Sequence, residues 1–148
     1  MQNSEALALT AALLAAAGDL TRRINDGVVA RGFEGLRPAH GFAFTRLAPE
    51  GATVTDLAAH LGVTKQAASQ LVDELVRKGY VERRPHPQDA RARLLVLTER
   101  GWACARAAEE AAADVVREWS ALVGEGEVRD LCRQLLRLAP NGPLRPSW

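Results

Sequence analysis

The sequence has very little lysine: Lys65 and Lys78 are the only lysines among 19 basic residues, and 18 acidic residues bring the net charge to +1. A chain this close to neutral is no polycation, so any affinity for an anionic partner must come from local clustering of charge. Arginine in place of lysine is typical of GC-rich bacterial genomes. The 148 residues correspond to one domain, long enough to bury a core without a disulfide or a metal.

Cysteine is as scarce as lysine. Cys104 and Cys132 form no CxxC motif and have no histidine pair nearby, so we expect no metal site. We interpret both as buried thiols in a reducing cytoplasm, with a redox switch as the alternative.

Sequence motifs of catalysis are missing as well. There is no glycine-rich phosphate loop, no metal-ligand spacing, no nucleophile–base pair and no pair of carboxylates in a strand–loop context. These absences argue against an enzyme and against a bound cofactor. The apolar run ALALTAALLAAAG is too short to span a bilayer, and the residues before it contain Glu5 but no lysine or arginine, unlike a signal peptide. We therefore expect a soluble cytoplasmic protein with no membrane partner.

Apolar spacing predicts a mainly helical chain. In residues 4–31 the larger apolar side chains recur at intervals of four and seven, which is typical of one helix face. Pro38 suits the first turn of a second helix, and Thr98 is expected to cap a long one. A last helix precedes the C-terminal segment NGPLRPSW, which we expect to be loosely held. The predicted apolar stripe of the long helix comprises Trp102, Ala105, Ala108, Ala112, Val115, Trp119 and Leu122.

Residues 53–79 predict two short helices joined by a tight turn, a helix-turn-helix. Thr55 and Thr64 are expected to cap the two helices, and Gly62 to supply a turn with positive φ. Glutamine can form hydrogen bonds with adenine, lysine can reach guanine or a phosphate, and serine can bond any base. The polar outer face of the second helix is therefore suited to contact bases in a major groove. The alternative is any amphipathic helix with a solvated polar face. The outer face comprises Lys65, Gln66, Ser69, Gln70 and Asp73, opposite an inward face of Ala68, Leu71, Val72 and Leu75.

A hairpin with a basic loop is predicted next. Residues 80–84 and 94–97 are β-prone, and residues 85–92 join them. The stretch 77–100 contains seven basic and three acidic side chains, a local charge of +4 in a chain of +1. Next to a helix that contacts bases in the major groove, such a hairpin would act as a wing that also contacts DNA. The alternative is a basic turn that is merely exposed to solvent.

Each basic side chain of this hairpin has an expected role. Arg91 at the tip would enter a minor groove, where the negative potential is concentrated. Arg83, Arg84 and Arg93 would contact backbone phosphates. Asp89 is expected to pair with Arg91 or Arg93 and so to shape the tip, while Asp73 on the preceding helix would orient a basic neighbour.

Three motifs together resemble the winged helix-turn-helix core of the MarR (multiple antibiotic resistance regulator) transcription factors. They are L-V-x-x-L-x-x-x-G-x-V-x-R from Leu71 to Arg83, D-x-R-x-R from Asp89 to Arg93, and L-T-x-x-G from Leu97 to Gly101. The resemblance implies a fold that is mainly α with a small β-hairpin wing. It implies a single domain over residues 1–148, with a winged helix-turn-helix core at about 36–100 and dimerisation helices at about 4–31 and 99–139.

The resemblance also implies a function. The protein would be a homodimeric transcriptional regulator, usually a repressor, that binds a palindromic operator in double-stranded DNA. In many members a small, often aromatic, molecule binds between the dimer helices and the winged module and releases the DNA. His40, Phe42, Phe44 and Trp102 are candidates to line such a pocket, with core packing as the alternative, and the ligand is unknown. The near-neutral charge supports a second hypothesis, a winged-helix module that binds protein without specific DNA binding.

The sequence departs from the family pattern at two points. Ala90 stands where the wing often has another arginine, which would weaken the phosphate contact. The redox-sensing members carry a reactive cysteine in the first helix, which has none here, so the two cysteines do not inherit that role. His60 and His86 are expected at the surface. The predicted DNA-binding residues are Thr64, Lys65, Gln66, Ser69, Gln70, Arg83, Arg84, Arg91 and Arg93, with Asp89 shaping the wing.

Overall fold

The computed structural model describes residues 2–139; Met1 and residues 140–148, which include the segment NGPLRPSW, lie outside the described part. Within it the chain forms six helices and one antiparallel hairpin, so the predicted fold class is confirmed. The elements in chain order are α1 (Asn3–Ala30), α2 (Pro38–Leu47), α3 (Val54–Leu61), α4 (Lys65–Arg77), β1 (Val81–Pro85), β2 (Arg93–Leu97), α5 (Glu99–Val123) and α6 (Glu125–Leu138).

The helix-turn-helix is formed by α3 and α4, and local capping bonds set its bounds. Thr53 caps α3: its side chain accepts a hydrogen bond from the backbone N–H of Asp56, whose carboxylate accepts one from the N–H of Thr53, both at 3.1 Å. The prediction that Thr55 caps this helix is therefore wrong, because the reciprocal bonds start the helix two residues earlier. Gly62 takes the predicted turn with φ 67°, and Thr64 caps α4 by accepting from the N–H of Ala67 at 3.1 Å.

The hairpin pairs β1 with β2 in antiparallel register, from Val81 opposite Leu97 to Pro85 opposite Arg93. Both strands lie within a residue of the predicted positions. Leu95 in β2 is fully buried and exchanges two backbone hydrogen bonds with Ala52, at 2.8 and 3.1 Å. The hairpin is thereby attached to the loop that precedes α3, so its strands have little freedom to move against the helix-turn-helix.

Tyr80 lies at the centre of the core, between the helix-turn-helix and the start of α5. Its ring is fully buried and contacts Phe44 at 5.8 Å between ring centroids, and the guanidinium of Arg100 lies 4.7 Å from the ring. Thr98 caps α5 as predicted, since its side chain accepts from the N–H of Gly101 at 3.1 Å. A Cβ at Gly101 would lie 2.2 Å from the carbonyl oxygen of Tyr80, so the glycine of the L-T-x-x-G motif permits this close approach.

The buried face of α5 differs from the predicted stripe. It consists of Gly101, Cys104, Ala107, Ala111 and Val115, of which only Val115 was predicted. Two of the larger predicted members are exposed: Trp102 by 37% and Leu122 by 81%. The physical reason is close packing of small side chains against α1, where a Cβ added to Gly27 would approach the Cβ of Ala111 to 2.7 Å.

Helix α1 is long and apolar enough, by length and composition, to cross a membrane, with mean hydropathy 1.2. The apolar run that we expected to be too short for this is part of a 28-residue helix. Ion pairs bind its second half to α5, however. Arg23 pairs with Glu118, and Arg31 pairs with Asp114 at 2.8 Å and with Glu110 at 3.3 Å. This half of α1 is therefore packed against the protein's own chain.

Candidate nucleic-acid interface

Helix α4 buries one face and presents the other to solvent, close to the prediction. Ala68, Val72 and Leu75 are fully buried. Lys65, Gln66 and Gln70 are exposed, and Ser69 is half-buried. The sequence reasoning missed Arg77, which is exposed and lies eleven residues after Gln66. Because eleven residues make just over three helical turns, Arg77 extends the outer row of Gln66, Gln70 and Asp73 by one turn.

Asp73 connects α4 to the hairpin. Its carboxylate accepts a hydrogen bond from the guanidinium of Arg83 in β1. The prediction that Asp73 orients a basic neighbour is thereby confirmed. The pair also offsets the charge of Arg83, which the sequence assigned to a phosphate contact. Arg84 is in a similar position, because its Nε donates to a carboxylate oxygen of Glu82 at 2.7 Å.

The tip of the hairpin is shaped by Asp89 through the backbone. A carboxylate oxygen of Asp89 accepts from the backbone N–H of Arg91 at 2.9 Å, and its carbonyl accepts from the N–H of Ala92 at 3.2 Å. This is the local turn that aspartate commonly forms with the N–H two residues later. The sequence predicted that Asp89 pairs with Arg91 or Arg93. The contact is instead with the backbone of Arg91, whose guanidinium forms no ion pair with any side chain in residues 2–139.

The outer surface therefore contains two kinds of cation. Arg83 and Arg84 have acidic partners. Lys65, Arg91 and Arg93 are exposed and form no ion pair with any residue in 2–139. A cation without a protein partner can approach a phosphate without first breaking an ion pair, so the unpaired three are the stronger candidates for phosphate contacts.

On the side of α4 away from the hairpin, Glu74 accepts hydrogen bonds from three groups. Nζ of Lys78 donates at 2.7 Å, Nη2 of Arg37 lies at 2.9 Å, and Nε2 of His40 lies at 3.2 Å. The bond from Lys78, followed by those from His40 and Arg37, lowers the pKa of Glu74 to about 2 against the opposing effect of burial. Lys78 also donates to the carbonyl of Gly35 at 2.5 Å. The cluster fixes α4 to the segment that leads into α2.

His40 belongs to this cluster and to the core. It is fully buried, and its Nδ1 accepts from the backbone N–H of Arg37 at 2.8 Å. Burial lowers the pKa of His40 below its ordinary value, although the hydrogen bond to Glu74 opposes that shift. With Nδ1 occupied as an acceptor, Nε2 carries the proton and donates to Glu74. Of the other candidates for an aromatic pocket, Phe44 is buried in the core, Phe42 is half-buried and Trp102 is exposed.

The remaining candidate groups divide by burial. Cys104 is buried, and burial raises the pKa of its thiol to about 11, as expected for an inert thiol. Cys132 is exposed on α6, so the prediction that both thiols are buried is wrong for it, because α6 buries none of its own residues. His60 and His86 are half-buried, not fully at the surface. In residues 2–139 no group of three histidine, cysteine or acidic side chains is placed to hold a metal.

Part of the chain is similar in sequence to known proteins. Residues 35–92, which include α2 to α4, β1 and the hairpin loop, match the family model described as MarR family. A 61-residue stretch is 44% identical to the HTH-type transcriptional regulator PetP of Rhodobacter capsulatus and covers 41% of this chain and 37% of that protein. The matches span about half or less of the length of the curated relatives.

Solved structures with the same fold extend over most of the chain. Wild-type MarR from E. coli in its apo form aligns with a TM-score of 0.70 at 24% identity, covering 88% of this chain and 96% of that one. A mutant of S. aureus MepR bound to an oligodeoxyribonucleotide aligns with a TM-score of 0.63 at 18% identity, covering 89% and 96%. At these identities the likeness shows the fold alone.

Proposed function

We propose that the chain is a MarR-family transcriptional regulator, a homodimeric and sequence-specific protein that binds an inverted repeat in double-stranded DNA. The match of residues 35–92 to the family model supports this assignment. The observation that carries the proposal is the surface formed by α4 and the hairpin. The exposed amides of Gln66 and Gln70 lie on the outer row of α4. The hairpin beside that helix presents Arg91 and Arg93, which form no ion pair within the described part of the chain. Base-reading groups next to phosphate-binding groups are what specific DNA recognition needs.

Each predicted site residue has a place in the proposal. Thr64 fixes the start of α4 through its capping bond. Lys65, Gln66, Ser69 and Gln70 would contact base edges and the nearest phosphates from the first two turns. The hairpin cations Arg83, Arg84, Arg91 and Arg93 would follow the backbone towards a minor groove, with Asp89 holding the tip in shape.

A second copy of the chain is the proposed partner of the open apolar faces. Large exposed apolar patches on a protomer mark interaction surfaces, and α6 has no buried residue in the described chain. The proposed dimerisation helices at about 4–31 and 99–139 contain these faces, outside a winged core at about 36–100. A twofold dimer would place two copies of α4 on successive turns of DNA. The exposed apolar residues on these helices include Leu7, Leu9, Leu13, Leu14, Val116, Leu122, Val123, Leu131, Leu135, Leu136 and Leu138.

The proposal also includes repression, release by a small and often aromatic effector, and a cytoplasmic location. The match of residues 35–92 to the MarR-family model supports these three points. No cofactor and no catalytic step is part of it. The effector would bind between the dimer helices and the winged core, where Trp102 on α5 is 37% exposed.

The test is footprinting of the purified protein on the DNA upstream of its own gene, at several salt concentrations. A protected inverted repeat with half-sites about one helical turn apart, lost steeply as salt rises, is the expected result. Weak protection without sequence preference or salt dependence, on this DNA and on bulk genomic fragments, would favour the alternative of a winged-helix module that binds protein.

A further inference from the structure

A recognition helix in a major groove has a phosphate backbone along each of its sides. The groove is about 12 Å wide and a helix with its side chains is about 10 to 12 Å across, so both walls come within reach of long side chains. In this protein the hairpin lies on one side only, the side that the Asp73–Arg83 pair marks. The other side of α4 faces the start of α2 and the segment that leads into it, because Glu74 accepts hydrogen bonds from Arg37 and from His40.

This second side of α4 has two arginines near the outer row. A depression of about 520 Å³ in the protein surface lies between α4, the start of α2 and the turn of the helix-turn-helix. It is lined by Arg37, Gln70 and Arg77. The side chain of Arg37 is 62% exposed although it bonds Glu74. Arg77 is exposed and forms no ion pair with any residue in the described range 2–139.

The net charge of this side is also positive. Its three cations, Arg37, Arg77 and Lys78, stand against two carboxylates, that of Glu74 and that of Glu34 in the segment before α2, which leaves a charge of +1 with the buried His40 neutral. On the hairpin side, four arginines stand against three carboxylates, which leaves +1: Arg83, Arg84, Arg91 and Arg93 against Asp73, Glu82 and Asp89. The side without a wing is thus at least as attractive to phosphate as the side with one.

We propose that Arg37 and Arg77 form a second phosphate-binding edge, which contacts the DNA strand on the side of α4 opposite the wing. The inference rests on the DNA-binding function proposed above and names two further contact residues for it. Glu74 is a positioning residue in this arrangement, because its carboxylate holds the guanidinium of Arg37 at the protein surface depression beside α4. Lys78 offsets the negative charge of Glu74. Because these contacts go to phosphates, they would add affinity without adding base preference.

The experiment measures the affinity of the full-length protein for its protected operator fragment between 0.05 and 0.3 M salt (roughly the range in which such slopes are resolved). The variants Arg37→Gln and Arg77→Gln each remove one cation. Each is expected to reduce the slope of log K against log salt by about 0.9, and affinity by about eightfold at 0.1 M salt. Operator and non-operator DNA should lose affinity alike. Arg106→Gln is the matched control: it removes an exposed arginine of α5 that forms no ion pair within the described residues 2–139, and it should leave the slope unchanged.

Three results would overturn the inference. If Arg91→Gln in the wing lowers the slope while Arg37→Gln and Arg77→Gln leave it unchanged, the second edge is absent although the DNA-binding function stands. Lower affinity at an unchanged slope, for both variants, would assign them a structural role instead of a phosphate contact. Absence of salt-dependent operator binding by the wild-type protein would remove the proposed function and this inference together. Urea unfolding of each variant confirms that the compared proteins are folded.

Discussion

Glu74→Gln is expected to destabilise the protein by about 2 to 3 kcal/mol at pH 7 and by about 1 kcal/mol at pH 3. The carboxylate of Glu74 is bound by Lys78, His40 and Arg37, and its pKa is lowered from 4.5 to about 2. One pKa unit corresponds to about 1.4 kcal/mol, so this shift means that folding stabilises the ionised carboxylate over the protonated acid by about 3 kcal/mol. The Glu74 side chain is 22% exposed, so solvent screening reduces this value somewhat.

The pH dependence follows from the direction of the shift. A carboxyl whose pKa is depressed on folding contributes its full stability above the unfolded pKa, and loses it as the pH falls through the folded pKa. The contribution of Glu74 is therefore complete above about pH 5 and largely lost near pH 2. Glutamine resembles the protonated acid at every pH, so the stability gap between wild type and Glu74→Gln should narrow over this window.

The assay is urea unfolding of both proteins at fixed ionic strength from pH 7 to pH 3. Glu82→Gln is the matched control, because the pair of Glu82 with Arg84 is exposed on the hairpin and such pairs contribute less than about 1 kcal/mol. A gap for Glu74→Gln that is no larger than the control at pH 7, or that stays constant down to pH 3, would refute the assignment of a stabilising role to this cluster.

Three further changes test other parts of the structure. Gly101→Ala places a Cβ 2.2 Å from a backbone carbonyl oxygen and should cost about 2 kcal/mol or more in urea unfolding, whereas Gly18→Ala, with open space around it, should be neutral or slightly stabilising; equal midpoints would contradict this. Arg91→Ala should weaken operator binding strongly at an unchanged melting temperature, and unchanged affinity would remove the wing from the mechanism. In Cys132→Ser protein, Ellman's reagent should label Cys104 only after unfolding, and labelling of the native protein at pH 8 would contradict its burial.

The helix-turn-helix could be predicted because its signals are local. Gly62 takes the positive φ that the turn requires, and Thr64 and Thr98 cap the helices that they precede. Each of these features depends on bonds between residues at most four apart, which the order of residue types already specifies. The correction from Thr55 to Thr53 is local as well, because Thr53 and Asp56, three residues later, exchange the two capping bonds that start α3.

The faces of the outer helices could not be predicted in the same way. Helix α5 is rich in alanine, so its periodicity is compatible with more than one apolar stripe, and the stripe that contains the tryptophans is the more hydrophobic one. The structure buries Cys104, Ala107 and Ala111 instead, because small side chains let α5 approach α1 closely at Gly27. The distance between two packed helices depends on the side chains of both, so the periodicity of one helix alone does not predict it.

The sequence by itself determined the fold class, the helix-turn-helix with its hairpin, and the polar outer face of α4, because local capping, turn and periodicity rules govern each of them. Only the tertiary structure decided which cations are free to bind a partner. Arg83 is paired with an acid ten residues away, and Arg37 with one 37 residues away, while Arg77 and Arg91 have no ion-pair partner among residues 2–139. Such pairings depend on how the chain brings distant segments together, so charge counts along the sequence could locate the basic surface but not its unpaired members.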